Sequence, residues 1–537
     1  MPVFTRARLR TAGGIALTAL AVLVVWFALV APNKITHLSL GAFVRIPLEG
    51  VLIGAALVLL PAKARKFAAG GVGALLGLLT VLKLLDMGFY EALDRPFDPV
   101  TDRAYFGPAV GLLDDSVGHR TAVVVVTIGI VAAVVIPVAT ALAVVRLSRL
   151  GAEHKTGTLR GVAAVGAAWA LLAVFGAPLA SSSAAGLAYD QIAAVHDAIE
   201  QQDVFAERAA HDAYANTPGN QLLTGLRGKD VIVAFVESYG QVAVEDSSIS
   251  PGVDAVLDAG TASLSAAGFH SESGWLTSPT FGGISWLAHS TFQSGLWVDN
   301  QLLYNELMTS DRLTLATAFK RAGWSTVADV PSNEKDWPEG KRFYDYNRIY
   351  GDGDVGYEGP SFSYASMPDQ YTLAAFHRLE LARPHNPLFA EIDLVSSHTP
   401  WAPLPHLIGW NQVGDGEAFN SMAADGADPN DVWRSADGVK EAYGQSIEYS
   451  LSTLISFVQK YGDKNLVLIV LGDHQPAKIV TGEDPTHNVP IAVVAHDPAV
   501  MRKIASWGWD PGLRPSSDAP LWQMDSFRDR LFVAFGP

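Results

Sequence analysis

The chain contains no cysteine. That excludes disulfides, thiolate metal sites, a cysteine nucleophile and a formylglycine made from cysteine. It also removes the usual clue to redox compartment. Charge is scarce too: 17% of residues are Asp, Glu, Lys or Arg, against about 25% in ordinary soluble domains. The net charge is −16, and such an acidic balance argues against a general nucleic-acid binder. The 537 residues contain no internal repeat, no low-complexity tract and no glycine-rich nucleotide loop.

The averages hide two different halves. Residues 1–186 carry 16 Lys or Arg and 9 Asp or Glu, and the rest carries 22 and 45. The first part is apolar and slightly basic; the second is mixed and strongly acidic. Five apolar runs fill the first part, at 12–31, 41–61, 66–86, 121–145 and 161–180. Each is near the roughly 20 residues a helix needs to cross about 30 Å of hydrocarbon. A secretory signal has a core of only about 7–15 apolar residues, so the first run reads as an uncleaved transmembrane helix.

Basic residues set the orientation. Arg6, Arg8 and Arg10, then Lys63, Arg65 and Lys66, then Arg146, Arg149, Lys155 and Arg160 lie in alternate loops. The intervening loops hold only Lys34, Arg95, Arg103 and Arg120. The positive-inside bias puts the N-terminus in the cytoplasm, and five crossings put everything after about residue 181 outside. Lys83 and Asp86, near the end of the third run, read as an ion pair at the outer interface or a contact to a lipid headgroup.

The expected organisation is a five-helix transmembrane domain over 1–186, a juxtamembrane helix and linker over 187–224, and an extracytoplasmic domain over 225–537. In the last part apolar strands alternate with helical patterns. VIVAFVES, WSTVADV, PLFAEIDLVSSH and NLVLIVLGDH read as strands, with helices over 252–267, RLTLATAFKRAG and 437–460. That alternation predicts a doubly wound α/β sheet.

Ligands of open α/β sheets bind beyond the carboxyl ends of the strands. Three of these strands end in ionisable residues: Glu237, Asp473 with His474, and His398. Singly, each is as readily a cap or a surface charge. Together, two carboxylates and imidazoles at one sheet edge suit a divalent ion such as Mn, Zn or Mg. A hydroxyl nucleophile is offered by Ser285, which follows Gly282–Gly283–Ile284 and opens the helical run SWLAHSTF. Amide N–H groups at a helix start stabilise anionic oxygens, although an N-cap serine would occupy the same place.

VESYG, GGISWLAHSTFQSG, SSHTPW, LGDHQP and THNVPI occur in that order. Together they resemble the alkaline phosphatase superfamily, in particular its membrane-anchored branch of lipoteichoic acid synthases and phosphoethanolamine transferases. Those proteins place five transmembrane helices before an extracytoplasmic sulfatase-like domain. The resemblance implies Ser285 as nucleophile, ten residues before Gly295, with Thr280 as the fallback. It implies Glu237, Ser285, Asp473 and His474 around one divalent metal ion, Mn first and Zn or Mg next. His398 then contacts the leaving group, and His487 binds substrate. Two-metal members add an Asp-x-x-x-His and a further His; here Asp393 and His398 are five apart, so one metal is expected. Trp337, Lys335 and Arg342 lie where the lipoteichoic acid synthases grip phosphoglycerol. His289 and His406 read either as packed histidines or as further site residues.

Sulfatases need Cys or Ser followed by x-Pro-x-Arg, and Ser285 is followed by Trp-Leu-Ala-His. Sulfate-ester hydrolysis is therefore disfavoured. The expected activity is transfer of a phosphoglycerol or phosphoethanolamine group from a membrane phospholipid to an envelope glycan or polymer, through phospho-Ser285. The alternative is a hydrolase on the same scaffold: a phosphodiesterase, phosphatase or sulfatase.

Overall fold

A computed structural model describes residues 2–107, 110, 119–175, 180–181, 183–245, 247–333 and 336–537. The chain forms two compact units, Met1–Gln201 and Gln202–Pro537.

The first unit is helical: α1 (Pro2–Val30), α2 (Leu48–Leu59), α3 (Ala62–Leu93), α4 (His119–Glu153) and α5 (Lys155–Val174). Among the described residues α1, α3, α4 and α5 are long and apolar enough to cross a membrane. The second apolar run departs from a continuous span. It begins as a 3-10 turn, Leu40–Val44, and continues through Ile46–Pro47, which pairs in parallel with Ala180–Ser181. Only then does it become the 12-residue α2. Pro47 accounts for the break, because proline lacks an N–H and turns the residue before it away from helical geometry.

Side chains on α4 such as Val124, Ile128, Val131, Val134 and Leu142 are exposed, as a lipid-facing helix requires. The α3–α4 contact runs through Gly73 and Gly77. A Cβ on Gly73 would lie 2.6 Å from the Ala141 Cα, and one on Gly77 would strike Pro137. This is the small-xxx-small packing that membrane helices use to bring backbones together.

Lys83 and Asp86 take neither interfacial role expected of them. Both are buried. Lys83 Nζ donates to the carbonyls of Ala28 and Leu29, at 3.0 and 3.4 Å, near the end of α1. Asp86 accepts from Asn33 Nδ2 at 2.8 Å and from the Phe97 N–H at 3.0 Å. A cation on terminal carbonyls satisfies groups that the helix itself leaves without partners. The juxtamembrane helix, α6, runs from Ser183 to Ala210.

The second unit is built on a nine-stranded sheet: β1 (Asp230–Val236), β2 (His270–Thr277), β3 (Ser325–Asp329), β4 (Arg348–Tyr350), β5 (Leu388–Leu394), β6 (Leu466–Gly472), β7 (Asn488–Ala495), β8 (Asp510–Pro511) and β9 (Leu521–Gln523). The order is β8-β2-β7-β6-β1-β5-β3-β4, with β9 also on β2. Strands β6, β1, β5, β3 and β4 are parallel; β7 is antiparallel to β6 and to β2.

Burial on both faces explains the unbroken apolar run of β1. Val231, Val233 and Phe235 pack with Leu287, Ala288 and Phe292 of α8 (Ser285–Ser294). Ile232, Ala234 and Val236 pack on the other face with Ile447, Leu451 and Leu454 of α9 (Ala436–Tyr461). Helices thus cover both sides of the sheet, as the alternation of patterns predicts. Strand β7 runs antiparallel to β6, and β2, antiparallel to β7, runs parallel to β6 again. HSESGWLT of β2 is small and polar at most positions, so it carries no strand alternation.

Candidate active site

The carboxyl ends of β1 and β6 lie side by side, with Val236 in register with Gly472. The residues that follow, Glu237 and Asp473, are thereby adjacent although 236 positions separate them. A Cβ on Gly472 would fall on the Tyr239 carbonyl, so only glycine lets the two loops approach this closely. Beside them α8 begins. Gly282 and Gly283 have φ of 69° and 156°, and Ile284, a β-branched residue, has φ 67°. Ser238 (φ 57°) and Trp401 (φ 60°) share the left-handed region. These three non-glycine residues flank Glu237, Ser285 and the His398 loop. Such conformations cost about 1–3 kcal/mol each and persist where surrounding structure enforces them.

Four predicted side chains converge. Ser285 Oγ lies 3.1 Å from Glu237 Oε2 and 3.2 Å from His474 Nε2. His474 Nε2 is 3.4 Å from both Glu237 Oε1 and Asp473 Oδ2. His474 Nδ1 is committed to the Gln475 carbonyl at 2.9 Å, which leaves Nε2 as the nitrogen facing the cluster. Asp473 Oδ1 accepts the N–H groups of Ser238 and His474, each at 2.8 Å. Asp473 Oδ2 is buried and accepts no hydrogen bond among the described residues.

This set fits a divalent ion. Bonds of about 2.0–2.2 Å to N and O place tetrahedral ligand atoms about 3.4 Å apart, the spacing observed here. The electrostatics agree. Burial works against the charge of Glu237, yet His474 beside it holds the carboxyl well below the usual range. Burial likewise depresses His474, and Asp473 and Glu237 outweigh it, pushing the imidazole up to about 9. Burial and Glu237 push Asp473 up to about 6. Anions that draw a proton onto a buried imidazole would draw a metal ion in the same way.

His398 stands at the edge of this cluster. Burial lowers its pKa, and Glu237 pulls it partly back. Its Nδ1 lies 2.6 Å from the Thr399 carbonyl, and its ring stacks on half-exposed Tyr364 at 3.5 Å. Ser397 Oγ, next door, donates to the Glu237 carbonyl at 2.6 Å.

The other predicted residues are more dispersed. His487 is held next to the β2 end, its carbonyl accepting from Ser278 N–H and its ring 5.6 Å from Phe281. Thr280 is buried against Ser278. Trp337 packs beside Tyr344 and Tyr346, at 5.5 and 6.2 Å. Arg342 is exposed and lines a cleft with Arg312, Leu313 and Arg321, whose lining includes none of the four converging residues. His406 is exposed. Lys335 lies outside the described residues.

A second group brings together His289 and Asp393, both weighed from the sequence, with Glu391, which the sequence did not single out. His289, one turn after Ser285 on α8, meets Glu391 and Asp393 of β5. Its signal was the acidic pair inside the apolar strand LFAEIDL, two residues apart and so on one face.

No family profile matches the chain, and no curated protein matches it. Solved structures do. The lipoteichoic acid synthase LtaP from Listeria monocytogenes is 13% identical with a TM-score of 0.37, over 58% of this chain and 76% of that one. The C-terminal periplasmic domain of EcEptC from Escherichia coli is 12% identical with a TM-score of 0.35, over 56% and 80%. The Streptococcus pyogenes phosphoglycerol transferase GacH, in complex with sn-glycerol-1-phosphate, is 12% identical with a TM-score of 0.35, over 63% and 92%. These come from the branch that the motifs resemble. At such identities the likeness assigns no residue a role, and the roles below rest on the geometry of the site.

Proposed function

We propose that the chain is a membrane-embedded, metal-dependent phosphotransferase that moves a phosphoglycerol or phosphoethanolamine group from a bilayer phospholipid to an envelope glycan or polymer. The observation that carries this reading is the convergence of Ser285 Oγ, Glu237 and His474 within 3.1–3.4 Å. Glu237, Asp473, His474 and Ser285 would hold one divalent ion, manganese being the first choice. Such an ion supplies positive charge that lowers the pKa of the serine hydroxyl and offsets charge developing on phosphate.

The residues of the chain do the rest. The Ser285 proton, held toward Glu237 Oε2, leaves to solvent. Oγ attacks phosphorus, and the bond from phosphorus to the diacylglycerol oxygen breaks. His398 gives that oxygen a proton. The group remains on Ser285 as a phosphodiester. An acceptor hydroxyl then attacks the same phosphorus, the Oγ–P bond breaks, and His398 takes the acceptor's proton. The N–H groups at the start of α8 face the anionic oxygens. An apolar helical unit on the same chain would keep the site near lipid headgroups and raise their effective concentration. In this reading the N-terminus is cytoplasmic, the catalytic unit is outside, and residues 1–186, 187–224 and 225–537 divide the labour as anchor, linker and catalyst.

The test is intact-mass measurement and peptide mapping of the full chain in detergent, loaded with Mn²⁺ and incubated with phosphatidylglycerol or phosphatidylethanolamine. A glycerophosphate or phosphoethanolamine adduct on Ser285, absent from Ser285→Ala, is expected. Lipid turnover undiminished in Ser285→Ala would refute the reading. Rapid release of the headgroup phosphate to water without an acceptor would make the enzyme a hydrolase instead.

A further inference from the structure

The His289 group lies beneath the nucleophile helix. His289 Nδ1 is 3.1 Å from Glu391 Oε1 and 3.6 Å from Asp393 Oδ1. All three ligand atoms lie within 4.8 Å of one another. None of these residues belongs to the set around Ser285 Oγ.

Three features exceed what a simple ion pair needs. The first is charge. Two carboxylates face one imidazole, one more acid than a single ion pair uses. The second is an under-satisfied oxygen: Asp393 Oδ1 meets His289 Nδ1 at 3.6 Å, too long for a hydrogen bond, and accepts none among the described residues. Buried carboxylate oxygens are nearly always satisfied, and a cation would satisfy this one. The third is outer support. Tyr346 OH, at 2.8 Å, and Gln293 Nε2 both donate to Glu391 Oε2, leaving Oε1 free to face His289. The imidazole itself is stacked on Phe235 at 3.8 Å and 13°. Hydrogen bonds that fix a carboxylate's far oxygen and packing that fixes a ring are the usual second shell of metal ligands.

We propose that His289, Glu391 and Asp393 form a second divalent-cation site, one helical turn beyond the nucleophile. Two carboxylates and a nitrogen suit Mn²⁺ or Zn²⁺. The set is distinct from an Asp-x-x-x-His arrangement, because it recruits His289 and Glu391 and leaves His398 and His487 out. It would clamp α8 to β5.

The experiment is metal stoichiometry. Full chain in detergent is stripped with a chelator, reloaded with Mn²⁺, freed of excess ion and measured by plasma mass spectrometry. Two equivalents are expected in the wild type, and one each in Asp393→Asn, in His289→Gln and in Glu237→Gln/Asp473→Asn. Glutamine at 289 keeps a donor for Glu391, so that variant guards against simple misfolding, and near-UV circular dichroism checks each chain. Tyr346→Phe should weaken one of the two ions by about 10–100-fold and spare the other. One equivalent in the wild type, unchanged in Asp393→Asn and lost in Glu237→Gln/Asp473→Asn, would overturn this site while leaving the Ser285 site intact. Two equivalents in both His289→Gln and Asp393→Asn would overturn it as well.

Discussion

Ser285 and His398 are placed for opposite demands. In the proposed mechanism the serine must lose its proton, and the carboxylates beside it would hold the cation that favours this. His398 must give a proton in the first step and, for the acceptor step, needs a free lone pair; its Nδ1 is spent on the Thr399 carbonyl, which leaves Nε2 for both. Burial favours its neutral form and Glu237 only partly opposes this. Its pKa therefore lies below the ordinary histidine value, and the neutral base predominates above it. The acceptor step should rise with pH through a limb below the usual histidine range and then stay flat. His398→Gln should abolish that limb and lower kcat by about 10²–10⁴-fold, with Mn²⁺ content unchanged. A pH–rate profile of both proteins checks this. A profile identical in the variant would remove His398 from the chemistry.

At the scale of elements, the site depends on two loops meeting at one point. Gly472→Ala would place a methyl group on the Tyr239 carbonyl and push Asp473 away from Glu237. Overpacking typically costs about 1–3 kcal/mol, so the chain should still fold. Its Mn²⁺ affinity should fall at least tenfold, as a titration would reveal. Much of this geometry was legible in the sequence, because a buried parallel strand that ends in charge announces its carboxyl edge. Glu237, Asp473, His474 and His398 were found in that way, and Ser285 was found from the glycines before its helix. The Glu391–Asp393 pair was not, since charges inside a strand carry no marker of which partner they meet. His289 reads equally as a packed histidine until β5 is placed beside α8. The break before α2 was hidden as well, because Leu40–Val44 is as apolar as the helix that follows.

Across the second unit, a buried ionic brace joins segments hundreds of residues apart. Asp212 accepts from Arg528 Nη1 at 2.8 Å and lies 3.2 Å from Arg312 Nε. All three side chains are nearly inaccessible. Arg312 Nε also donates to the Ser294 carbonyl, the last residue of α8, where a cation complements the helix dipole. Asp212→Ala would remove the carboxylate shared by two buried guanidinium groups. Arg528 keeps Asp529 Oδ1 at 2.7 Å and Arg312 keeps the Ser294 and His211 carbonyls, so the cost should stay at or below that of a broken buried pair, about 3–5 kcal/mol. Denaturant unfolding of the full chain should register it. Burial alone would raise the Asp212 pKa, but the arginines outweigh it and lower it. The sign follows: this stability is present above the ordinary aspartate pKa and is lost as pH falls through the lower folded value. The variant should therefore lack part of the acid-induced weakening seen in the wild type. Nothing in the local sequence at 212, 312 or 528 signals that the three meet.

The short α2 carries a consequence for sidedness. Twelve helical residues reach about 18 Å, well short of about 30 Å of hydrocarbon. With a cytoplasmic N-terminus, odd parity of crossings exports the second unit and even parity retains it, so the 3-10 turn and the Ile46–Pro47 pairing must complete a fifth traverse if Ser285 is to face the envelope. A chain without native thiols is ready-made for mapping this. Lys34→Cys should react with an impermeant maleimide in intact cells, and Lys63→Cys only after the cells are opened. Equal labelling of both from outside would mean that α2 folds back, and it would leave Ser285 facing the cytoplasm.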